Sequence, residues 1–174
     1  MKYFVKFFVI TFFLIISTTA FAEQKIVVLD MKYVLNQSTA GKGAQDFLKK
    51  KFQDNAKKFA KLEKELKTEE TDLLKNKNSL SEEEYAKKSE ELRKKVFDFQ
   101  TKRRSSLDEL GKQRAEAKKI MNEKIEPILN NYINENNISI IIYKKNVIGG
   151  SKGFDITDVI VETLNKDFPS LNLK

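Results

Sequence analysis

Histidine and cysteine are both absent from the 174 residues, so the imidazole general base, the thiol nucleophile and the soft-metal ligands are all missing. What remains for chemistry is lysine, arginine and carboxylate, and their spacing points to electrostatic binding rather than bond-making. Cations cluster at Lys49-Lys50-Lys51, Lys57-Lys58 and Lys102-Arg103-Arg104. Carboxylates recur among them as ordinary helix-surface patterning, with no pair set apart as an acid/base dyad. The glycine-rich stretch 149–153 lacks the spacing of a phosphate loop and reads as a plain turn. The chain is therefore expected to be no enzyme and to use no cofactor and no metal.

The net charge is localised. Residues 41–126 hold 24 Lys/Arg against 18 Asp/Glu, residues 23–40 hold two of each sign, and residues 127–174 hold five of each. The bland reading of the cations is a set of solvated helix faces steadied by neighbouring glutamates. The functional reading is an attractor for acidic proteins, anionic lipid headgroups or nucleic acid.

Residues 1–22 weigh between these partners. Lys2 and Lys6 precede an apolar run over 7–16, and the segment ends Ala20-Phe21-Ala22. This is the pattern of a secretory signal peptide cleaved after Ala22. The run is shorter than the roughly 20 residues of a membrane span, so a retained anchor is the lesser alternative. Export disfavours nucleic acid as a partner and favours protein or lipid. Removing Lys2 and Lys6 from the 33 cations leaves 31 against 25 acids in the mature chain. An exported chain without cysteine has no disulfides and depends on packing or oligomerisation.

The elements that must carry the cations follow from periodicity. Residues 25–30 and 138–143 are short β-branched runs and read as strands, the second buried on much of both faces. Asn146-Val147-Ile148 is a candidate third strand before the glycine turn. Asp155 is placed to cap a last helix, with Asp158 in its first turn and an end before Pro169. Between the two clear strands the chain is rich in Lys, Glu, Ala and Leu, with no proline from 41 to 126. The one strong break is at 76–81, where Ser81 and Glu84 form a capping box. One long helix thus runs out and another returns. Pro127 either kinks the returning helix or restarts it, and in both cases marks the junction of arm and base.

The two helices carry matching 3,4 repeats. Folded antiparallel, facing residues should have numbers summing to a constant, here 158. Leu73 then faces Tyr85, Leu66 faces Leu92, Leu62 faces Val96, Phe59 faces Phe99 and Leu48 faces Leu110. Polar positions meet as well: Glu69 with Ser89, Asn55 with Arg103, Gln45 with Gln113. Phe52 against Ser106 is a mixed layer, with Leu107 beside it. A pair of helices this long protrudes, and its polar layers make an arm that bends. Phe47, Leu74, Phe97 and Leu107 fall off the repeat and touch either a neighbouring subunit or a bound client, together with the cations named above.

The expected architecture is α+β and mostly α, one domain with three parts: 23–40 as the start of a body, 41–126 as the arm, and 127–174 as the rest of the body. A body of so few short strands would be marginal alone. Its apolar strands want cover, which predicts a homo-oligomer with Ile26, Val28, Ile140, Ile142 and Val147 at the interface.

In this form the mature chain resembles the Skp (OmpH-like) family of periplasmic chaperones. The resemblance rests on Lys25-Ile26-Val27-Val28-Leu29-Asp30 after the leader, then Val34-Leu35 and Ser38-Thr39-Ala40-Gly41-Lys42. It continues with Ile125-Glu126-Pro127-Ile128, the strand at 138–143 and Asp155-Ile156-Thr157-Asp158. It implies a homotrimer joined through a small β-barrel, with three arms enclosing a cavity that holds unfolded outer-membrane proteins without ATP before insertion. Some members are credited with a basic site for lipopolysaccharide, whose residues have no match here. The chain departs from the family at Tyr143-Lys144-Lys145, where an acidic residue is common, so the turn after the strand is left open. An envelope scaffold without chaperone activity is the alternative, and it would favour unbroken apolar layers.

Overall fold

The computed structural model of the protein describes residues 24–173, and the leader expected over 1–22 lies outside these residues. Strand β1, Lys25–Leu29, is followed by a short helix α1, Met31–Gln37, and a long helix α2, Thr39–Lys75. Helix α3, Glu82–Glu135, returns to strand β2, Ile138–Tyr143, and the chain ends with helix α4, Thr157–Asp167. At ~1.5 Å per residue the 37 residues of α2 reach about 56 Å and the 54 residues of α3 about 81 Å. Both helices are therefore much longer than any other element, the next being the 11 residues of α4.

The two strands are parallel, with Ile26 opposite Ile140, Val27 opposite Ile141, Val28 opposite Ile142 and Leu29 opposite Tyr143. A parallel pair cannot be closed by a tight turn, and here the crossover is the whole arm. Val27 and Leu29 point into the core, so Ile26 and Val28 take the other face. An irregularity between Lys25 and Ile26 leaves Ser139 unpaired and shifts the alternation of β2. Ile138 and Ile141 both reach the core as a result, and Ile140 is half exposed. The expectation that β2 is buried on much of both faces is corrected: within one chain the core covers a single face.

The core is assembled from every element of the body. Val27, Leu29, Val34, Ile160 and Leu164 pack with Met121, Ile125 and Ile128, which sit four and three residues apart on the root of α3. Pro127 lies inside α3, whose helical run continues unbroken to Glu135, so the helix does not restart there. Its missing N–H falls on an exposed position while Ile125 and Ile128 on either side are buried. Asn137, at φ 52°, ends the helix in the left-handed conformation that asparagine tolerates, and β2 begins at the next residue.

Helix α1 was hidden in sequence between strand and arm. Asp30 caps it by accepting from the Tyr33 N–H at 2.9 Å, and buried Ser38 ends it. The same Ser38 hydroxyl accepts from the Gly41 N–H and so starts α2. A Cβ on Gly41 would fall 1.9 Å from the Leu35 carbonyl oxygen, so glycine is required where the two helices meet. At the far end, Ser81 and Glu84 form a reciprocal capping box, whose hydrogen bonds lower the Glu84 pKa.

Two further details of the body differ from the sequence reading. Residues 146–148 form no strand: Lys144–Asn146 is a 3₁₀ turn, and the second edge of β1 is met instead by Asp155 and Ile156, with the Ile156 N–H donating to the Val28 carbonyl at 3.0 Å. Lys144 turns back to pair with Asp155 at 2.7 Å, beside the start of α4. Asp155 in turn lies one residue ahead of the α4 N-cap position, Ile156, and accepts from the Thr157 N–H at 3.0 Å and from its hydroxyl.

Candidate binding surface

Along the arm, α2 and α3 pack through a narrow stripe. The Phe59 and Phe99 rings meet edge to face with centroids 6.0 Å apart, the favourable arrangement for two quadrupoles. Leu48 and Leu92 are buried, and Leu62, Leu66, Leu73, Tyr85, Val96 and Leu110 are half-buried. Two helices alone cover only one side of each such residue. Phe52 remains 53% exposed, with only the small Ser106 expected across the seam.

The polar positions are wired differently from the constant-sum expectation. Asn55 donates to the Ser106 hydroxyl at 2.7 Å, and Lys51 donates to Gln113 at 3.1 Å. Gln45 donates to the Asn36 side-chain oxygen at 3.0 Å, and Glu69 pairs with Lys95. The new partners sum to 161, 164 and 164. Helical side chains lean toward the N-terminus of their own helix, so two that meet start from Cα atoms beyond the level of contact on both chains. The Phe59–Phe99 contact keeps the sum of 158, and the polar contacts exceed it.

The cations divide accordingly. Lys49, Lys50, Lys57, Lys58, Lys102, Arg103 and Arg104 are exposed along the arm. Lys51 is not free in the same way: it is half-buried, bonded to Gln113, with its ammonium 5.6 Å from the Phe47 ring centre. Phe47 is itself half-buried. The other off-repeat residues are open to solvent, with Phe97 69%, Leu74 58% and Leu107 51% exposed.

A groove at the arm root went unnoticed in the sequence. Between α1, α2 and α3 lies an open cavity of about 780 Å³, floored by Leu48, Phe52, Leu107 and Leu110. Its signal was the placement of small residues, Ala44 and Gly111, next to the seam. On the body, Ile26 and Ile140 are exposed and Val28 and Ile142 half-buried, and the strand register puts all four on one sheet face. Val147 is half-buried in the irregular segment beyond. Among the described residues no acidic cluster could hold a metal ion, and no helix is long and apolar enough to cross a membrane.

Fold and charge together place the chain in the class of proteins that present a projecting basic helical hairpin on a small α/β body. Residues 25–164 match the profile of the family described as Outer membrane protein (OmpH-like), and the chain belongs to that OmpH-like family. It is 28% identical over 170 residues to a Skp-like protein of Pseudomonas aeruginosa, covering 95% of this chain and 99% of that one. The crystal structure of a chain from Caulobacter crescentus CB15, ascribed to an OmpH-like outer membrane chaperone, superposes with a TM-score of 0.81. That match covers 87% of this chain and 89% of the other at 16% sequence identity, and so speaks for the fold.

Proposed function

We propose that this protein is an ATP-independent periplasmic holding chaperone, exported by a leader cleaved after Ala22, that keeps unfolded outer-membrane proteins from aggregating before insertion. The observation that carries the reading is the arm itself. Exposed cations alternate with exposed Phe97, Leu74, Leu107 and Phe52 on two helices standing well clear of the body. Positive charge steers an acidic chain to the arm, and scattered apolar side chains hold it through many weak contacts. Membership of the OmpH-like family supports the same assignment.

The working form in this reading is a homotrimer. The sheet face carrying Ile26, Val28, Ile140 and Ile142 would close against its copies as a small barrel, leaving three arms around a cavity. Anionic lipid, lipopolysaccharide included, is a further partner that the basic arm could meet at a membrane surface.

The test is dilution of a urea-unfolded outer-membrane β-barrel protein into buffer with and without the processed protein, recording turbidity and complex mass at low and high salt. A soluble complex with three copies of this chain, weakened by salt, is the expected result. Unchanged aggregation with the protein folded and oligomeric would replace the reading by an envelope scaffold.

A further inference from the structure

The groove at the arm root has an unusual balance of lining. Its floor is apolar, with Phe52 53% and Leu107 51% exposed into it. Lys49, Arg114 and Lys118 stand along it, and no carboxylate is among its lining residues. The groove nearer the arm tip, by contrast, mixes Glu65, Glu69, Asp72 and Glu91 with its lysines, so a groove lined by cations and apolar residues without a carboxylate is a local departure. Gly111 adds space: a Cβ there would meet nothing within 4 Å.

From these observations we infer that the root groove is a client subsite that takes a short extended peptide segment in which apolar residues alternate with acidic ones. The inference rests on the holding-chaperone reading and names where on the arm one client segment is seated. The charge fixes the sign of the partner, since only an anionic group finds compensation beside Lys49, Arg114 and Lys118. The size fits a peptide: the twelve residues from Gly41 to Phe52, eleven rises of ~1.5 Å, span about 16 Å of α2, the length of about five extended residues. Its volume of about 780 Å³ lies in the range of sites that enclose a small ligand. In an extended segment successive side chains point to opposite sides, so apolar groups can fill the floor while acidic ones reach the rim.

The experiment uses the processed full-length protein and two labelled peptides, one alternating glutamate with leucine and phenylalanine, the other with lysine in place of glutamate. Fluorescence anisotropy at low salt should show the acidic peptide bound about tenfold or more tightly than its basic twin. Gly111→Leu fills the groove without touching its charge and improves helix propensity, and it should weaken the acidic peptide about tenfold. Reversing the rim with Lys49→Glu, Arg114→Glu and Lys118→Glu together should invert the preference between the peptides. Equal binding of the two peptides, or undiminished binding by Gly111→Leu, overturns the subsite. The chaperone reading fails separately: a protein that binds the acidic peptide but leaves the client to aggregate keeps the subsite and loses the holding function.

Discussion

Asp155 shows how much the body asks of one carboxylate. Burial opposes its charged form, but hydrogen bonds from Lys144 and Thr157 outweigh it and lower its pKa, while bonding to Asp155 raises that of Lys144. The Thr157 hydroxyl also accepts from the Asp30 N–H at 2.9 Å, so the ends of both strands and the start of α4 converge there. A lowered folded-state pKa means a contribution present at and above the ordinary aspartate range and lost as pH falls through the folded value. Asp155→Asn should therefore melt about 3–6 °C below the parent at pH 7, and the gap should close below about pH 4. A gap of constant size down to pH 2, read by circular dichroism, would contradict the assignment. The raised Lys144 pKa acts at the other limit, its contribution fading only as pH rises past the usual lysine range. Gly41 is the second residue with a large expected effect. Gly41→Ala meets the Leu35 backbone and should cost about 1–3 kcal/mol in urea unfolding, against the gain alanine brings elsewhere in a helix.

At the scale of the elements, the arm is a two-helix seam with one aromatic contact and repeated polar interruptions. Asn55 with Ser106 and Lys51 with Gln113 satisfy their own hydrogen bonds but contribute little burial. They lie between the Phe59–Phe99 contact and the root, where the seam is expected to open most readily. Replacing the first pair with leucines, Asn55→Leu with Ser106→Leu, should add about 1–2 kcal/mol to the arm by burying apolar surface. Amide exchange over residues 48–62 and 96–110 would slow measurably if flexibility resides in these layers. Exchange rates unchanged by that substitution would place the bending elsewhere. Under the proposed function, a stiffened arm should also hold a smaller range of client sizes in the aggregation assay.

For the whole molecule the question is what covers the sheet. Ile26 and Ile140 stand opposite each other on a face that the chain's own core does not reach. Ile26→Lys with Ile140→Lys would place two charges on that face and, under the proposed trimer, should yield a folded but monomeric protein by sedimentation. An unchanged oligomer would move the interface to another surface. Under the proposed function, suppression of aggregation should fall with loss of the oligomer, since one arm encloses nothing.

Much of this architecture was legible because it depends on local periodicity. Helices, the capping box at Ser81 and the Phe59–Phe99 contact follow from side-chain spacing along the chain, which is fixed by 3.6 residues per turn. The basic balance and its restriction to 41–126 are likewise properties of the sequence alone. Tertiary structure decided what depends on atoms distant in sequence: the parallel pairing of β1 with β2, the helix α1 folded under Gly41, and the replacement of a third strand by Asp155 and Ile156. It also decided which polar residues meet across the seam, because side-chain lean and length are invisible to a repeat counted on Cα positions. The root groove belongs to this second group. Its apolar floor and cationic rim come from three helices, and only their packing brings Leu48, Leu107 and Arg114 to one place.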